Sequence, residues 1–160
     1  MNLTILNPNP SLEPRDVLAY QCGRLLAELE AIQRAALGKI NATIVDRYYG
    51  SASSTPQSGF APLLTGVQAH LSKLRKNRPG AHEMKQRVLE EILLHFKTDS
   101  DVPKLPTTLT VREQGVFALG YYHQRANNRA AAEAAKQAAA EATKQAEAAK
   151  RAKFATIGGN

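Results

Sequence analysis

The chain has 160 residues and carries 21 lysine and arginine residues against 14 aspartate and glutamate residues, a formal net charge of +7. This length fits one compact domain with an appendage and excludes two full-sized domains, and the single cysteine excludes an intramolecular disulfide or a cysteine-based zinc site within one chain. The isoelectric point near 9.7 favours a polyanionic partner, with nucleic acid as the leading candidate. The lone cysteine, the lack of a long apolar stretch and the lack of a signal-peptide pattern at the N-terminus predict a cytoplasmic protein.

Helical periodicity begins after an opening rich in proline and asparagine, which predicts an extended arm over residues 1–14. The next segment predicts an amphipathic helix that ends near Gly38, because its apolar residues recur at steps of three and four. Arg24, Glu28 and Arg34 fall mainly on the opposite side of this helix, where we expect solvent. The apolar residues that define it are Leu18, Cys22, Leu25, Leu29, Ile32 and Ala36.

The middle of the chain predicts two loops and two further helices. Residues 41–49 are ambiguous between helix and strand, and the run Gly50–Pro56 predicts a loop because it begins with glycine, holds three serines and ends with proline. The first of the two helices ends in a basic run before Pro79, and residues 98–107 form the second predicted loop. The apolar positions of the two helices are Phe60, Leu63, Val67, Leu71 and Leu74, and then Met84, Val88, Leu89, Ile92, Leu93 and Phe96.

The last helix has a predicted start and an unusual composition. Thr110 and Glu113 have the spacing of a capping box, and Val116, Leu119 and Tyr122 are its predicted buried face. Alanine then dominates the sequence, and alanine is the best helix former. The fold class is therefore all-α, a bundle of about four to five helices with a long C-terminal alanine-rich helix. The predicted organisation is an arm over 1–14, a bundle over 15–125, a helical extension over 126–153 and a flexible tail over 154–160.

The sequence offers no constellation typical of catalysis. The histidines His70, His82, His95 and His123 lack metal-ligand spacing, and Glu90–Glu91 and Asp99/Asp101 are carboxylate pairs in sequence only. No phosphate-binding loop, nucleophile elbow or dinucleotide fingerprint is present. We therefore expect a protein that is not an enzyme, without catalytic residues, a metal site or a cofactor.

Basic residues are the strongest candidates for binding. Residues 70–87 carry six basic side chains against Glu83 alone. They can contact phosphates without reading base sequence, or they can be a solvated helix end whose cations complement the helix dipole. The candidate nucleic-acid-binding residues are Lys73, Arg75, Lys76, Arg78, Lys85, Arg87 and Arg125.

Two further features leave alternatives open. Arg129, Lys136, Lys144 and Arg151 lie near every second turn of the extension, so they form one stripe that can follow a phosphate backbone or can belong to a solvated single helix. The run Tyr121–Arg125 combines aromatic, amide and cationic groups, which suit either stacking on exposed bases or packing at the edge of the core.

Three stretches together resemble a known family. Tyr20–Glu30 (YQCGRLLAELE), Asp46–Pro56 (DRYYGSASSTP) and Glu113–Arg125 (EQGVFALGYYHQR) are similar to the C-terminal region of the Csd-family large subunit of type I-C CRISPR effectors. The similarity covers residues 15–125 and not the alanine-rich extension. Because the family's large subunit is several times longer, the resemblance implies a small subunit made from an internal start in the large-subunit reading frame.

The resemblance also implies partners and a role. It implies an α-helical, non-catalytic subunit of the Cascade complex, present in more than one copy beside the backbone and large subunits. There it is expected to brace the CRISPR RNA paired with target DNA and to hold the displaced non-target strand. It transfers no site residues, because the matching motifs are not catalytic in the family. A purely structural spacer between subunits and a free-standing basic DNA-binding protein are the alternatives.

Overall fold

The computed structural model describes residues 13–98 and 103–157, with side chains up to Lys153. Within these residues the secondary structure is five α-helices and no strand, which confirms the predicted all-α class. The helices are α1 (Pro14–Leu37), α2 (Ile44–Ser54), α3 (Pro56–Asn77), α4 (Pro79–Leu94) and α5 (Val111–Ile157). The predicted arm up to residue 12, Asp99, Asp101 and residues 158–160 lie outside the described residues.

The chain divides into two compact units, Met1–Arg125 and Ala126–Asn160. The first unit holds α1 to α4 and the first part of α5, and the second holds the alanine-rich part of α5. α5 continues to Ile157, beyond the end near Lys153 that its composition predicts.

The core of the first unit is built around α1. α1 packs against α2, α3 and α4, and its residues from Ala19 to Glu30 are all buried. The spacing of apolar residues predicts the buried residues of α3 and those at the centre of α4, whereas Met84 of the predicted α4 stripe is 41% exposed. Burying each large aliphatic or aromatic side chain contributes about 1.5–3 kcal/mol. The buried apolar residues of α3, α4 and α5 in this core are Phe60, Leu63, Val67, Leu71, Leu74, Leu89, Ile92, Phe117 and Tyr121.

Local signals set several helix ends as predicted. Gly38 follows α1 with φ 74°, a left-handed conformation that glycine adopts without a steric penalty, and its N–H donates to the carbonyl of Arg34 at 2.9 Å. Before α5, the backbone N–H of Thr110 donates to Glu113 Oε2 at 2.7 Å, and the N–H of Glu113 donates to Thr110 Oγ1 at 3.3 Å. The predicted capping box is therefore confirmed.

The loop predicted over Gly50–Pro56 is wrong, because α2 includes Gly50 to Ser54 and only Thr55 separates it from α3. Two features show how the helix accommodates this run. The hydroxyls of Ser53 and Ser54 donate to the carbonyl of Gly50 at 3.2 and 2.7 Å, so they stay bonded to the preceding turn instead of competing with it. Gly59 of α3 also packs against the α2 backbone, where a β-carbon would lie 2.7 Å from the Ala52 nitrogen.

The predicted buried face of α5 is also wrong, by about one position. Leu119 and Tyr122 are 56% and 61% exposed, whereas Phe117 and Tyr121 are buried. The reason is a close crossing of α5 with α1 at Gly120 and Gly23. That crossing fixes the rotation of α5, which apolar spacing alone leaves undetermined.

Candidate nucleic-acid interface

The basic run at the end of α3 lies beside the start of α4. Arg78 alone separates the two helices, and it caps the end of α3 and the start of α4. Its N–H donates to the carbonyl of Leu74 at 2.7 Å, and its carbonyl accepts a hydrogen bond from the N–H of His82 at 3.0 Å. Pro79 occupies the first position of α4, where the missing N–H has no intrahelical partner to lose. This short connection brings the cations of the last turn of α3 next to the first turns of α4.

Five of the seven predicted nucleic-acid-binding residues are exposed cations on these two helices or between them, and we call them the junction patch. α3 directs Leu71 and Leu74 into the core, so the intervening positions face solvent. Within the described part of the chain, no residue of the patch forms a salt bridge, and the first turn of α4 holds no acidic residue. The junction patch consists of Lys73, Arg75, Lys76, Arg78 and Arg87.

A groove of about 280 Å³ lies between α3 and α4 beside the patch. Arg75 lines it from α3, and His82 and Glu90 line it from α4. On the same helix, burial and then the positive charge of Lys73 lower the pKa of His70.

The other two predicted residues have partners inside the first unit. The Lys85 ammonium lies 3.1 Å from Glu28 Oε1, and its side chain is only 18% exposed. The Arg125 guanidinium lies 5.5 Å from the centre of the Tyr121 ring. Lys85 therefore compensates a buried carboxylate, and Arg125 belongs to an aromatic cluster on α5 and not to the junction patch.

The expectation that Arg24 and Glu28 face solvent is wrong, because both are buried at the centre of a polar network. Arg24 donates through Nε to Gln124 Oε1 at 2.9 Å, through Nη1 to Gln21 Oε1 at 3.1 Å, and through Nη2 to Glu91 Oε1 at 3.3 Å. Gln124 Nε2 in turn donates to Glu28 Oε2 at 3.1 Å. These bonds compensate the loss of water, which is why charged residues can occupy the core here.

A second buried acid joins α1 to α5. Glu30 accepts a hydrogen bond from the Tyr121 hydroxyl at 2.9 Å and pairs with Arg34 at 2.9 Å. Burial and the neighbouring Glu30 carboxylate raise the pKa of Tyr121 to about 12. Apolar periodicity gave no signal for either network, and the sign that the sequence offered was the presence of Arg24, Glu28 and Glu30 among the apolar residues of α1.

The crossing of α1 and α5 has backbone-to-backbone contact at two glycines. A β-carbon on Gly23 would lie 1.9 Å from the Phe117 carbonyl oxygen, and one on Gly120 would lie 2.0 Å from the Tyr20 carbonyl oxygen. Tyr49 of α2 packs edge-on against Phe117, with ring centres 5.6 Å apart. Residues of the three stretches that resemble the Csd family therefore meet in one core.

The remaining titratable groups form no further site among the described residues. No cluster of three or more histidine, cysteine, aspartate or glutamate side chains that could hold a metal ion occurs there. The Cys22 thiol is buried, and burial raises its pKa, so the thiolate form is disfavoured. His123 Nδ1 is hydrogen-bonded to the Tyr20 hydroxyl at 3.0 Å.

None of the described helices is long and apolar enough to cross a membrane.

The second unit is a solvent-exposed helix as far as its side chains are described. Lys136 Nζ pairs with Glu133 Oε1 at 3.1 Å, and both side chains are largely exposed. The four cations of the predicted stripe all lie on exposed positions, namely Arg129, Lys136, Lys144 and Arg151. This arrangement fits both interpretations of the stripe, as a phosphate-following surface and as a solvated helix.

Comparison with known proteins identifies the family. The model of a CRISPR-associated protein family, Cas_Csd1, matches residues 2–128, which include the whole helical bundle and the junction patch. A search of curated proteins found no match. Since the family match covers well over half of the sequence, the chain belongs to the Cas_Csd1 family of CRISPR-associated proteins.

Proposed function

We propose that the chain is a non-catalytic small subunit of a type I-C CRISPR surveillance complex and that it holds nucleic-acid backbone through the junction patch. The patch carries the proposal: Lys73, Arg75, Lys76, Arg78 and Arg87 are exposed and free of acidic partners among the described residues. Membership of the CRISPR-associated family supplies the context in which such a surface meets nucleic acid.

The chemistry of the patch suits backbone holding. In RNA-guided complexes, base pairing reads the sequence and protein supplies a positive channel for the strands. Lysine and arginine contacts to phosphate add affinity that is independent of sequence and falls steeply with salt. The partners are therefore the CRISPR RNA with its target DNA and the displaced non-target strand, beside the backbone and large subunits and other copies of this chain.

A charge reversal of the patch tests this role. Changing Lys73, Arg75, Lys76 and Arg78 to glutamate should leave the fold intact, since all four side chains are exposed. We expect the complex assembled with this variant to form R-loops poorly. A single substitution that removes one phosphate contact should make the slope of log affinity against log salt shallower than in the wild type. The expected change is about 0.9 on duplex DNA and about 0.7 on single strands.

The matched control reverses four exposed cations of the first unit outside the patch, Lys39, Arg47, Lys97 and Lys104, and so changes the net charge equally. R-loop formation should survive this change. Unchanged target binding by the patch variant, or an equal loss in both variants, would overturn the assignment of the junction patch.

A structural spacer is the second candidate, and exposed apolar residues favour it. Val111 and Leu119 of α5 are 86% and 56% exposed, and Leu94 of α4 is 57% exposed, so these helices offer apolar area to protein subunits. A spacer predicts that the complex fails to assemble without the chain, while the isolated chain ignores DNA even at low salt. Binding of DNA by the isolated chain at low salt would favour the first candidate.

A further inference from the structure

We propose that Tyr122 and Arg125 form a base-stacking platform for single-stranded nucleic acid on the first part of α5. This inference rests on the proposed function and goes beyond it, because it adds unpaired bases to phosphate as the recognised chemistry. It concerns a surface separate in sequence from the junction patch, on a different helix.

The Tyr122 ring is exposed and has a rigid support. It is 61% exposed, whereas the neighbouring Tyr121 is 3% exposed, and their ring centres lie 5.2 Å apart at an interplanar angle of 74°. Tyr121 is held in place by its hydrogen bond to Glu30 at 2.9 Å and by the edge-on ring of Tyr49 at 5.6 Å. Little conformational entropy is therefore lost when a ligand stacks beside this cluster.

Arg125 places a positive charge next to the exposed ring. It follows Tyr122 by three residues on the same helix, a spacing that makes side chains neighbours. Its guanidinium lies 5.5 Å from the centre of the Tyr121 ring, and its side chain is exposed. Among the described residues Arg125 has no salt bridge. An aromatic face and a cation without an acidic partner among the described residues, within one helical turn, match a base and its phosphate.

The geometry favours a single strand over a duplex. Bases in a duplex are covered by their neighbours, whereas those of a single strand expose their faces to an aromatic ring. Stacking of this kind tolerates any sequence, as backbone holding requires. A protein partner that brings a carboxylate could also cover Tyr122 and pair with Arg125, and the assembly experiment below distinguishes that occupant from a nucleic-acid base.

The test compares two probes of equal charge. The full chain is titrated with a labelled single-stranded oligothymidine and with an abasic oligomer that has the same number of phosphates. We expect the wild type to bind the thymidine probe more tightly. Tyr122→Ala should weaken thymidine binding about tenfold and leave the affinity for the abasic probe unchanged. Tyr122→Phe should keep the wild-type preference, since the ring remains.

Leu119→Ala is the matched control, because it removes exposed apolar area one turn earlier on the same helix. It should leave both affinities unchanged. Equal binding of the two probes by the wild type, or a preference that persists in Tyr122→Ala, would overturn the platform while leaving the proposed function intact. If the wild type binds neither probe at low salt, the proposed function fails with it. If Tyr122→Ala blocks assembly of the complex but changes no oligonucleotide affinity, the ring is a protein contact and the platform is again overturned.

Discussion

The centre of α1 and the junction of α3 with α4 both carry charged side chains, yet the two regions use them in opposite ways. Around α1, Arg24 and Glu28 are buried and bonded to amide and charged partners from α4 and α5. At the junction, Lys73 and Lys76 face solvent without acidic partners among the described residues. Solvent exposure without an acidic partner, and not the local count of charges, therefore distinguishes the proposed binding surface from the structural network.

Lys85 and Arg87 show this difference most directly, because they lie two positions apart on α4. Residues two positions apart on a helix point to nearly opposite sides. Lys85 accordingly lies against Glu28 of α1, whereas Arg87 faces solvent. Replacing each of them in turn therefore tests which cation stabilises the fold and which is available for the proposed binding.

Lys85→Ala should give the largest effect. It leaves the fully buried Glu28 carboxylate without its ammonium partner, and breaking a buried pair costs about 3–5 kcal/mol. We expect a loss of about 3–4 kcal/mol in unfolding free energy, because Lys85 itself is partly exposed. All five tyrosines lie between residues 20 and 122, so tyrosine fluorescence during urea unfolding reports on the first unit.

Arg87→Ala is the control and should change the unfolding free energy by less than about 0.5 kcal/mol. Equal destabilisation by the two substitutions would contradict the distinction between the two regions. In nucleic-acid binding the order should reverse, with a smaller salt slope for Arg87→Ala and an unchanged slope for any folded Lys85 variant.

Gly23→Ala should destabilise the first unit by about 2–3 kcal/mol. The added β-carbon would lie 1.9 Å from the Phe117 carbonyl oxygen, and a backbone atom cannot move aside as a flexible side chain can. Gly115→Ala is the matched control on α5, since a β-carbon there meets nothing within 4 Å. It should stabilise the helix by about 0.5–1 kcal/mol. Urea unfolding measures both, and a neutral Gly23→Ala would disprove the close crossing of α1 and α5.

Glu113→Gln should lower the unfolding free energy by about 1 kcal/mol at pH 7, and by progressively less as the pH falls from 4.5 through about 2. The hydrogen bond from Arg15, at 2.5 Å, and the cap at Thr110 lower the pKa of Glu113 to about 2 from its ordinary value of 4.5. The contribution of the carboxylate is therefore complete above pH 4.5 and is lost as the pH falls through about 2. Unfolding free energies of the wild type and the variant should converge over this range.

Arg15→Gln provides the control for that experiment. In its background Glu113→Gln should have a smaller effect, because the charged partner is already absent. Parallel pH profiles for the wild type and Glu113→Gln would show that the ion pair does not contribute.

Glu133→Gln should give the smallest effect, at most about 0.5 kcal/mol, because its pair with Lys136 is exposed on a single helix. Far-UV circular dichroism during heating should record a slight loss of helix at low salt that disappears at high salt. Tyrosine fluorescence should not change, since no tyrosine lies in the second unit. A large loss would show that exposed pairs stabilise this protein as strongly as buried ones.

Features that depend only on residues close together in the sequence were predictable from the sequence. Apolar spacing predicted α1, α3 and α4, Gly38 predicted the end of α1, and the Thr110 and Glu113 pair predicted the start of α5. The physical reason is that caps and amphipathic periodicity act within one or two helical turns. The exposure of the basic run at the end of α3 was also predictable, because a cation in solvent needs no partner from another segment.

The tertiary structure alone decided which polar residues are buried and how the last helix is rotated. Arg24 and Glu28 could enter the core only because Gln124, Glu91 and Lys85 arrive from distant segments to bond them. Leu119 and Tyr122 face solvent because the glycines at the crossing of α1 and α5 determine which face of α5 is buried. Local periodicity measures amphipathicity one segment at a time, whereas burial of a charge or a close backbone contact depends on two segments meeting in space.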